Sequence, residues 1–328
     1  MKNNQLMQAA CVSDGKLSFR DDVPIPIPAE NEVLIKVAVA GICATDLAII
    51  KGYANFKGIL GHEFVGSVVD AGSPVDSCWL GKRVVAEINQ RCGSCEYCVR
   101  GLYTHCNNRK VIGIRGSNGA FAEYLVANEN SLRLLPDSVP DEQAVFIEPL
   151  AAAYRVLEQI GELGHQKDIL IIGAGKLGQL IARVLAQTEN VVSVSVRHSN
   201  QRYLLEDISV RCINERQIKK MSYDVVIETS GHVSGFEQAL DASRSLGKII
   251  LKSTYVPSSV DLSQIVIREL TLLGSRCGSF DSAIGAIEKS LINPACLVNK
   301  VYPLSEIAHA MSFAQGKGVM KVLLRPNM

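Results

Sequence analysis

Four cysteines lie close together in one short segment of the 328-residue chain. The run RCGSCEYCVRGLYTHC gives them the spacing Cys-x2-Cys-x2-Cys-x7-Cys, at Cys92, Cys95, Cys98 and Cys106. Four thiolates at these intervals can surround one tetrahedral zinc ion, and such a closed site is structural. An iron–sulfur cluster is the main alternative, although ferredoxin-type runs place the last Cys after three residues and before a proline. Disulfides are disfavoured because a hydrophobic content of 47% supplies a core without cross-links.

Three further ligand-type groups occur in short motifs outside that loop. They are Cys43 in GICATD, His62 and Glu63 in GHE, and Glu148 in EPL. Thiolate, imidazole and carboxylate are common zinc ligands, and three protein ligands plus water define an open, catalytic site. Glu148 follows the apolar run AVFI, where a carboxylate is costly unless a partner compensates its charge. Spacing alone is weak evidence for this site, since a lone buried Cys or His often has only a packing role.

A glycine-rich turn follows the apolar run ILII and opens a helical pattern. Gly173, Gly175 and Gly178 form G-x-G-x-x-G, with Lys176 and Leu177 between the last two glycines. The first glycine permits a tight turn, the second lets the backbone approach a pyrophosphate, and the third lets helix and strand pack closely. The helix N-terminus then attracts the anion. The motif predicts a dinucleotide site.

The residues after the next strand bear on which dinucleotide binds. NAD sites carry Asp or Glu about 20 residues after the glycines, where it binds the ribose hydroxyls. Arg197 stands 19 residues past Gly178, and neither it nor its neighbours are acidic. Arg197, His198, Ser199 and Arg202 offer cationic and hydroxyl groups suited to a 2′-phosphate. The pattern predicts NADP(H) over NAD(H), with a plain surface loop as the alternative.

The elements that must position these residues divide the chain in two. The first half reads as short β-branched strands between turn residues. From about residue 150, strands and helices alternate, with residues 236–245 predicted as a helix and 247–253 as a strand. That alternation predicts a doubly wound parallel sheet, so the fold class is α/β.

Composition and charge limit the kinds of partner. Lys and Arg number 34 against 33 Asp and Glu, so no charge excess points to nucleic acid or an anionic membrane. No apolar run approaches the roughly 20 residues of a membrane span, and the N-terminal residues lack the apolar region of a signal peptide. Ten cysteines in such a chain predict reduced thiols and a cytoplasmic protein.

The motifs together resemble one family. GICATD, GHE, the four-Cys loop, EPL and GAGKLG occur in the order typical of zinc-containing medium-chain dehydrogenases, in particular the alcohol, sorbitol and threonine dehydrogenase group. The resemblance implies a GroES-like, β-rich catalytic domain over residues 1–149, with the structural-zinc loop at 91–107. It further implies a Rossmann domain at 150–291 and a C-terminal segment, 292–328, that returns to the catalytic domain.

The resemblance also implies residue roles. Cys43 and His62 would hold the catalytic zinc, and Glu63 or Glu148 would complete its ligands, since related sites exchange these carboxylates. Asp46 would fix the tautomer of His62.

Thr45 would pass the substrate's proton onward. Many relatives carry His five residues after the zinc Cys as an outer proton carrier, whereas this chain has Ala48. Water, a ribose hydroxyl or another side chain would then have to serve.

The expected activity is hydride transfer between an alcohol or polyol, or the matching carbonyl compound, and NADP(H), with two zinc ions per chain. One alternative is an NAD-linked polyol or amino-alcohol dehydrogenase. Another is a zinc-stabilised, cofactor-binding redox sensor without turnover, which would not need an open metal site. A homodimer or homotetramer is expected, with a small-molecule substrate as the further partner.

Overall fold

The computed structural model describes residues 5–161, 166–254 and 262–326, which form two compact units. The first unit comprises the chain up to Glu148 and from Ala283 onward, and the second is Pro149–Ser282. Residues 283–291, which the resemblance assigns to the Rossmann domain, fall in the first unit.

Strands and helices are numbered here in chain order. The strands of the first part of the chain are β1 (Leu6–Ser13), β2 (Lys16–Pro24), β3 (Glu32–Gly41), β4 (Gly58–Ile59), β5 (Glu63–Ala71), β6 (Arg83–Ala86), β7 (Asn89–Gln90), β8 (Lys110–Ile112), β9 (Gly116–Ser117), β10 (Tyr124–Asn128) and β11 (Leu132–Leu134). The later strands are β12 (Asp168–Ile172), β13 (Val191–Ser195), β14 (Arg211–Ile213), β15 (Tyr223–Glu228), β16 (Ser243–Leu251), β17 (Thr271–Gly274), β18 (Val298–Pro303) and β19 (Lys321–Arg325). The α-helices are α1 (Ala44–Ile50), α2 (Glu96–Val99), α3 (Asp141–Ala144), α4 (Ile147–Ile160), α5 (Lys176–Leu185), α6 (Ser199–Tyr203), α7 (Val233–Ala242), α8 (Ser263–Ile267), α9 (Phe280–Glu288) and α10 (Ile307–Ala314).

The first unit is built around β3, whose sequence EVLIKVAVAG is rich in the β-branched residues that strands favour. β5 pairs antiparallel with one side of β3, while β10 and β19 share the other side. The main sheet has the order β11-β6-β5-β3-β19-β18. This topology brings β19, the last described strand, beside β3, although residues 42–320 separate them in sequence. The unit thus joins strands from early and late parts of the chain in one sheet.

The second unit contains a six-stranded parallel sheet in the order β14-β13-β12-β15-β16-β17. β12 is central, and its apolar residues Ile169–Ile172 are almost completely buried, as expected for a strand covered on both faces. β12 and β13 pair in register with Ile172 opposite Ser195, so the residues that follow them emerge at the same edge of the sheet. This is the doubly wound fold that the sequence predicts.

One predicted boundary is wrong. The helix predicted over 236–245 ends at Ala242, and β16 begins at Ser243. The buried guanidinium of Arg268 donates hydrogen bonds to the carbonyl oxygens of Leu240 and Ser243, both at 2.8 Å. These bonds satisfy carbonyls at the helix end and allow the chain to turn directly into a strand.

None of the described helices combines the length and apolar character that crossing a membrane requires.

Candidate functional site

The four-Cys loop brings its sulfur atoms together as predicted. Cys95 precedes α2 and Cys98 lies on it, while Cys92 and Cys106 approach from either side along the chain. The Sγ atoms lie 3.6 Å apart for Cys95 and Cys98, 3.8 Å for Cys95 and Cys106, and 3.5 Å for Cys92 and Cys106. All four cysteines are free thiols rather than disulfides.

These separations fit a single metal ion. Four Zn–S bonds of about 2.3 Å place neighbouring sulfurs about 3.8 Å apart at the corners of a tetrahedron. A [4Fe–4S] cluster would bind each sulfur to a different iron, and a [2Fe–2S] cluster would bind the sulfurs in pairs to two irons, so either cluster would spread the four sulfurs farther apart than one ion does. The geometry therefore favours one tetrahedral ion and leaves no open coordination position.

The backbone of the loop favours thiolate at some positions. The N–H groups of Ser94 and Cys95 lower the pKa of Cys92 to about 6, with a further contribution from the Cys106 thiol. Backbone N–H groups, first that of Cys98, lower the pKa of Cys95 as well. Desolvation has the opposite effect on Cys98 and raises its pKa to about 11. The backbone thus favours the thiolate form at two of the four cysteines before any metal binds.

A second group of ligand-type atoms lies inside the first unit. The ligand atoms of Cys43, His62 and Glu63 all lie within 4.8 Å of one another. Cys43 stands directly before α1, Glu63 is the first residue of β5, and His62 precedes it. His62 and Glu63 are 3% and 1% exposed, so this site is buried and the charges in it need partners.

The two carboxylate oxygens of Asp46 lie near two residues of this site. Oδ2 accepts a 2.8 Å hydrogen bond from the backbone N–H of Cys43, which holds the start of α1. Oδ1 lies 3.4 Å from Nδ1 of His62, and Asp46 is completely buried. This arrangement leaves Nε2 as the imidazole nitrogen available to a metal. Burial lowers the pKa of His62, but the charges of Asp46 and Cys43 outweigh it and raise that pKa well above 6.5.

Sequence reasoning missed one residue of this site, Lys321. Its ammonium group forms a buried ion pair with Glu63 and lies 5.3 Å from the ring centroid of Phe146. Burial opposes its charge, but Glu63, Cys43 and Glu148 outweigh that effect and raise the pKa of Lys321. The sequence did contain a signal for Lys321, since it lies inside the apolar strand run VMKVLLRP and a charge in a buried strand requires a partner.

The absence of a side chain at Gly41 leaves room for this ion pair. Gly41 on β3 pairs with Glu63 on β5 and with Leu323 on β19. A Cβ atom at Gly41 would lie 2.9 Å from Oε2 of Glu63 and 3.4 Å from Cδ of Lys321. A side chain at Gly41, the glycine of GICATD, would therefore crowd the ion pair.

Two other predicted residues lie near this group without joining it. Glu148, half-buried near the start of α4, lies outside the group of ligand atoms but close enough for its charge to act on Lys321. Oγ1 of Thr45 lies 3.7 Å from Sγ of Cys43. Ala48 occupies α1 one turn further on, as the sequence indicates.

The glycine-rich turn lies at the carboxyl end of β12 in the second unit. Gly173 has φ +101°, a conformation that favours glycine. A Cβ atom at Gly178 would lie 1.9 Å from the carbonyl oxygen of Gly173, whereas one at Gly175 would meet nothing within 4 Å. The turn is thus tightly packed behind Gly178 and open at Gly175, as a pyrophosphate cradle requires. Lys176 and Leu177 begin α5 beside it, both half-buried.

The predicted ribose loop follows β13 at the same edge of the sheet. Arg197, His198 and Ser199 are exposed there. The guanidinium of Arg202 instead donates a 3.1 Å hydrogen bond to the carbonyl oxygen of Cys212 on β14. The guanidinium of Arg197, by contrast, makes no such hydrogen bond to the backbone of the described residues.

Comparison with known proteins agrees with both units. Residues 29–137 match the alcohol dehydrogenase GroES-like domain. The chain is 32% identical to D-arabitol-phosphate dehydrogenase of Enterococcus avium over 93% of each chain. A Sinorhizobium meliloti 1021 chain described as a zinc-binding dehydrogenase bound to NADP superposes with a TM-score of 0.89, at 26% identity, over 98% of this chain and 100% of the other. An Escherichia coli CFT073 alcohol dehydrogenase in complex with NADH gives a TM-score of 0.88, at 28% identity, over 98% and 99%.

The chain belongs to the zinc-containing medium-chain dehydrogenase family. It is an oxidoreductase of the alcohol and polyol dehydrogenase class. Its α/β fold combines a GroES-like domain with a Rossmann sheet, which confirms the predicted fold class.

Proposed function

We propose that the protein transfers a hydride between an alcohol or polyol, or the matching ketone or aldehyde, and NADP(H). The observation that carries this proposal is the convergence of Cys43, His62 and Glu63 within 4.8 Å of one another. Three ligands of these types form an open zinc site, unlike the closed set of four thiolates in the loop. A polyol substrate agrees with the similarity to D-arabitol-phosphate dehydrogenase.

Opposite charges surround the proposed zinc site. Zn²⁺ and the ammonium of Lys321 would contribute three positive charges, and Cys43, Asp46, Glu63 and Glu148 would contribute four negative charges when ionised. A buried ion without such compensation would be strongly unfavourable. We propose Glu63 as the carboxylate ligand, together with Cys43 and His62. Glu148 would be a nearby carboxylate that does not bind the metal in this arrangement.

When bound, zinc would act as a Lewis acid toward the substrate oxygen, and the nicotinamide would exchange the hydride. The protein's own contribution begins with His62, whose ring Asp46 holds from the Nδ1 side at 3.4 Å. That contact fixes the ring orientation and leaves Nε2 directed away from Asp46. Burial of the group excludes water and strengthens the electrostatic interactions within it.

Proton transfer is assigned to Thr45. In the oxidative direction Oγ1 of Thr45 would accept the proton of the substrate hydroxyl and release its own proton to the next acceptor. The 3.7 Å separation between Oγ1 and Sγ of Cys43 supports this role, because it places the hydroxyl beside a proposed zinc ligand. Since Ala48 cannot carry a proton, that acceptor would be water, a cofactor hydroxyl or another side chain.

The four-Cys loop would hold a second, structural zinc ion, which gives two ions per chain. Its sulfur separations of 3.5–3.8 Å support one ion at this position. Four thiolates leave no position for a substrate.

The preference for NADP(H) rests on the loop after β13. An acidic residue there would bind ribose hydroxyls and repel a 2′-phosphate, whereas Arg197 is exposed and cationic. Relatives with solved structures bind NADP in one case and NADH in another, so family membership does not decide the cofactor. Charge-assisted hydrogen bonds from Arg197 would contribute about 1.5–3 kcal/mol, or roughly 10- to 150-fold in affinity.

A screen of alcohols and polyols with both cofactors tests the activity. The zinc-loaded protein should oxidise at least one of these compounds faster with NADP than with NAD, and chelation should remove the activity. Metal analysis should find two zinc ions per chain. Full activity with no zinc present would overturn the metal assignment, and equal kcat/KM for both cofactors would overturn the cofactor preference. Sedimentation of the same sample tests the expected homodimer or homotetramer.

An Arg197→Asp variant tests the source of the preference. Binding of NADPH should weaken by about 10-fold or more, while binding of NADH should improve modestly. Arg216→Asp is the matched control, because Arg216 is also exposed but follows β14, one strand farther from the glycine-rich turn. Equal responses of the two variants would show that the Arg197 loop has no special role.

The carboxylate assignment is tested by Glu63→Gln and Glu148→Gln. Each loses a charge at nearly constant shape, and Glu63→Gln should lower the zinc affinity of the buried site more strongly. A larger loss of zinc from Glu148→Gln would assign the ligand role to Glu148 instead.

A further inference from the structure

The side chain of Gln201 closes the loop that follows β13. Its Oε1 accepts hydrogen bonds from the backbone N–H of Arg197 at 2.9 Å and from that of His198 at 3.2 Å. These N–H groups lie where a dinucleotide fold recognises the adenosine ribose, at the end of its second strand. One uncharged side chain therefore occupies two adjacent backbone donors in this part of the loop.

The backbone of Gln201 is held in turn by buried polar side chains of α5. Gln179, which is completely buried, donates from Nε2 to the carbonyl oxygen of Gln201 at 3.0 Å. Arg183, 3% exposed, donates to Oε1 of Gln179 at 2.9 Å and to the carbonyl oxygen of Leu204 at 2.6 Å. Since α5 is also the helix that begins in the glycine-rich turn, the two parts of the cofactor site share one support.

These bonds decide which groups of the loop can meet a phosphate. Because Gln201 occupies the N–H groups of Arg197 and His198, recognition by this pair of residues falls to their side chains. The Arg202 guanidinium is directed to Cys212 on β14. Arg197 is therefore the cationic residue of this loop whose backbone N–H is bonded directly by Gln201.

We propose that Gln201 is a positioning residue for cofactor choice. It holds the Arg197 backbone so that the guanidinium can meet the 2′-phosphate, and its neutral amide adds no charge that would repel that phosphate. The inference rests on the proposed preference for NADP(H) and adds the residue that supports Arg197.

The substitution Gln201→Glu separates geometry from charge. A carboxylate can accept the same two hydrogen bonds, and ionised acceptors bind N–H groups more strongly than neutral ones. The loop would keep its conformation, while a negative charge beside Arg197 would compete for the guanidinium and repel a phosphate. The substitution Gln201→Met keeps a similar length but removes the acceptor, so it removes the support without adding charge.

Gln217 offers a matched control in the same unit. It lies three residues after Asn214, and its Oε1 accepts the Asn214 backbone N–H at 2.9 Å. The arrangement resembles that of Gln201, but it follows β14, which β13 separates from β12. Gln217→Glu therefore makes the same chemical change farther from the glycine-rich turn.

Fluorescence titration of the zinc-loaded, full-length protein with NADPH and with NADH tests the inference. Gln201→Glu should raise the Kd for NADPH about 10-fold, equivalent to about 1.4 kcal/mol, and change the Kd for NADH by less than about twofold. Gln217→Glu should leave both constants unchanged. Equal weakening of both cofactors by Gln201→Glu, or an equal shift in their ratio by Gln217→Glu, would overturn the inference.

A double-mutant cycle with Arg197→Met shows whether Gln201 acts through Arg197. Gln201→Met should raise the Kd for NADPH about fivefold in the wild-type background and have no further effect when Arg197 is Met. Effects that simply multiply would show that Gln201 does not act through Arg197. Wild-type protein that binds NADH as tightly as NADPH would refute the proposed preference alone, since the cycle still reports whether Gln201 and Arg197 are coupled.

Discussion

The first unit contains two groups of metal-ligand atoms that are assembled in opposite ways. The four cysteines of the loop come from 15 consecutive residues, 92–106, and converge through local turns. Cys43, His62 and Glu63 come from the start of α1 and the start of β5, and Lys321 reaches them from the C-terminal strand β19. Local chain geometry makes the first group, whereas the sheet makes the second.

The two groups also differ in burial and chemistry. Cys92 is exposed and Cys95 half-buried, whereas Cys98 and Cys106 are buried, so the group of four cysteines is only partly covered. His62 and Glu63 are buried, and an ion pair with Lys321 compensates charge there. Four identical ligands satisfy a zinc ion completely, while three mixed ligands leave a position for substrate. Loss of the zinc proposed for the loop should thus affect stability, and loss of the zinc proposed for the buried group should affect chemistry.

The largest expected effect is the loss of turnover in Cys43→Ser. Removal of a zinc ligand should lower kcat by about a thousandfold or more, since the metal contributes several kcal/mol to such reactions. NADPH binding should stay within twofold, because the glycine-rich turn belongs to the other unit. Steady-state kinetics with fluorescence titration measure both, and Cys78→Ser, at an exposed cysteine, should behave as wild type. Retention of a tenth of the wild-type activity would contradict the assignment.

The next effect concerns the buried ion pair. Lys321→Met leaves the Glu63 carboxylate buried without its partner, which should lower the free energy of unfolding of the zinc-free protein by about 3–5 kcal/mol. Chemical denaturation measures the loss, and Glu63→Gln in the same chain should recover part of it. Lys321→Arg keeps the charge and should cost less. A change below about 1 kcal/mol in Lys321→Met would show that the pair is not important for stability.

A smaller effect is expected from Cys95→Ser. The variant should bind one zinc ion instead of two and keep its catalytic activity at low temperature. Its melting temperature should fall by about 5 °C, the shift that corresponds to about 2 kcal/mol in a domain of this size. Metal analysis and thermal unfolding test this, again with Cys78→Ser as control. Loss of both ions together would show that the two sites are not independent.

The smallest effect is a difference in thiol reactivity within the loop. The pKa of Cys92, lowered to about 6, means that its thiolate predominates above pH 6 in the metal-free protein and is lost below it. Iodoacetamide at pH 7 should therefore label Cys92 before Cys98, whose pKa is raised to about 11. Labelling of Cys92 should fall at pH 5, and zinc should protect it. Peptide mass spectrometry measures the extent of labelling at Cys92 and at Cys98 over time. Equal labelling of the two residues would be inconsistent with these pKa values.

Several features of the site could be predicted because they depend on neighbours in sequence. The Cys-x2-Cys spacing places sulfurs on one turn, and G-x-G-x-x-G after a buried strand predicts the turn found at Gly173. The helix end at Ala242 could not be predicted in this way. It depends on hydrogen bonds from Arg268, 25 residues beyond the start of β16.

The amino-acid sequence by itself determined the α/β class, the loop of four cysteines and the residue types of the proposed buried metal site. The tertiary structure alone decided that Glu63 rather than Glu148 lies beside Cys43 and His62, that Lys321 pairs with Glu63, and that the Gln201 side chain bonds the backbone of Arg197. The physical reason is the distance in sequence between the residues that determine each feature. Turns and helix starts follow from local backbone preferences, but compensation of a buried charge depends on which distant strand the sheet brings beside it. Here that strand is β19, which the pairing with β3 places next to the site.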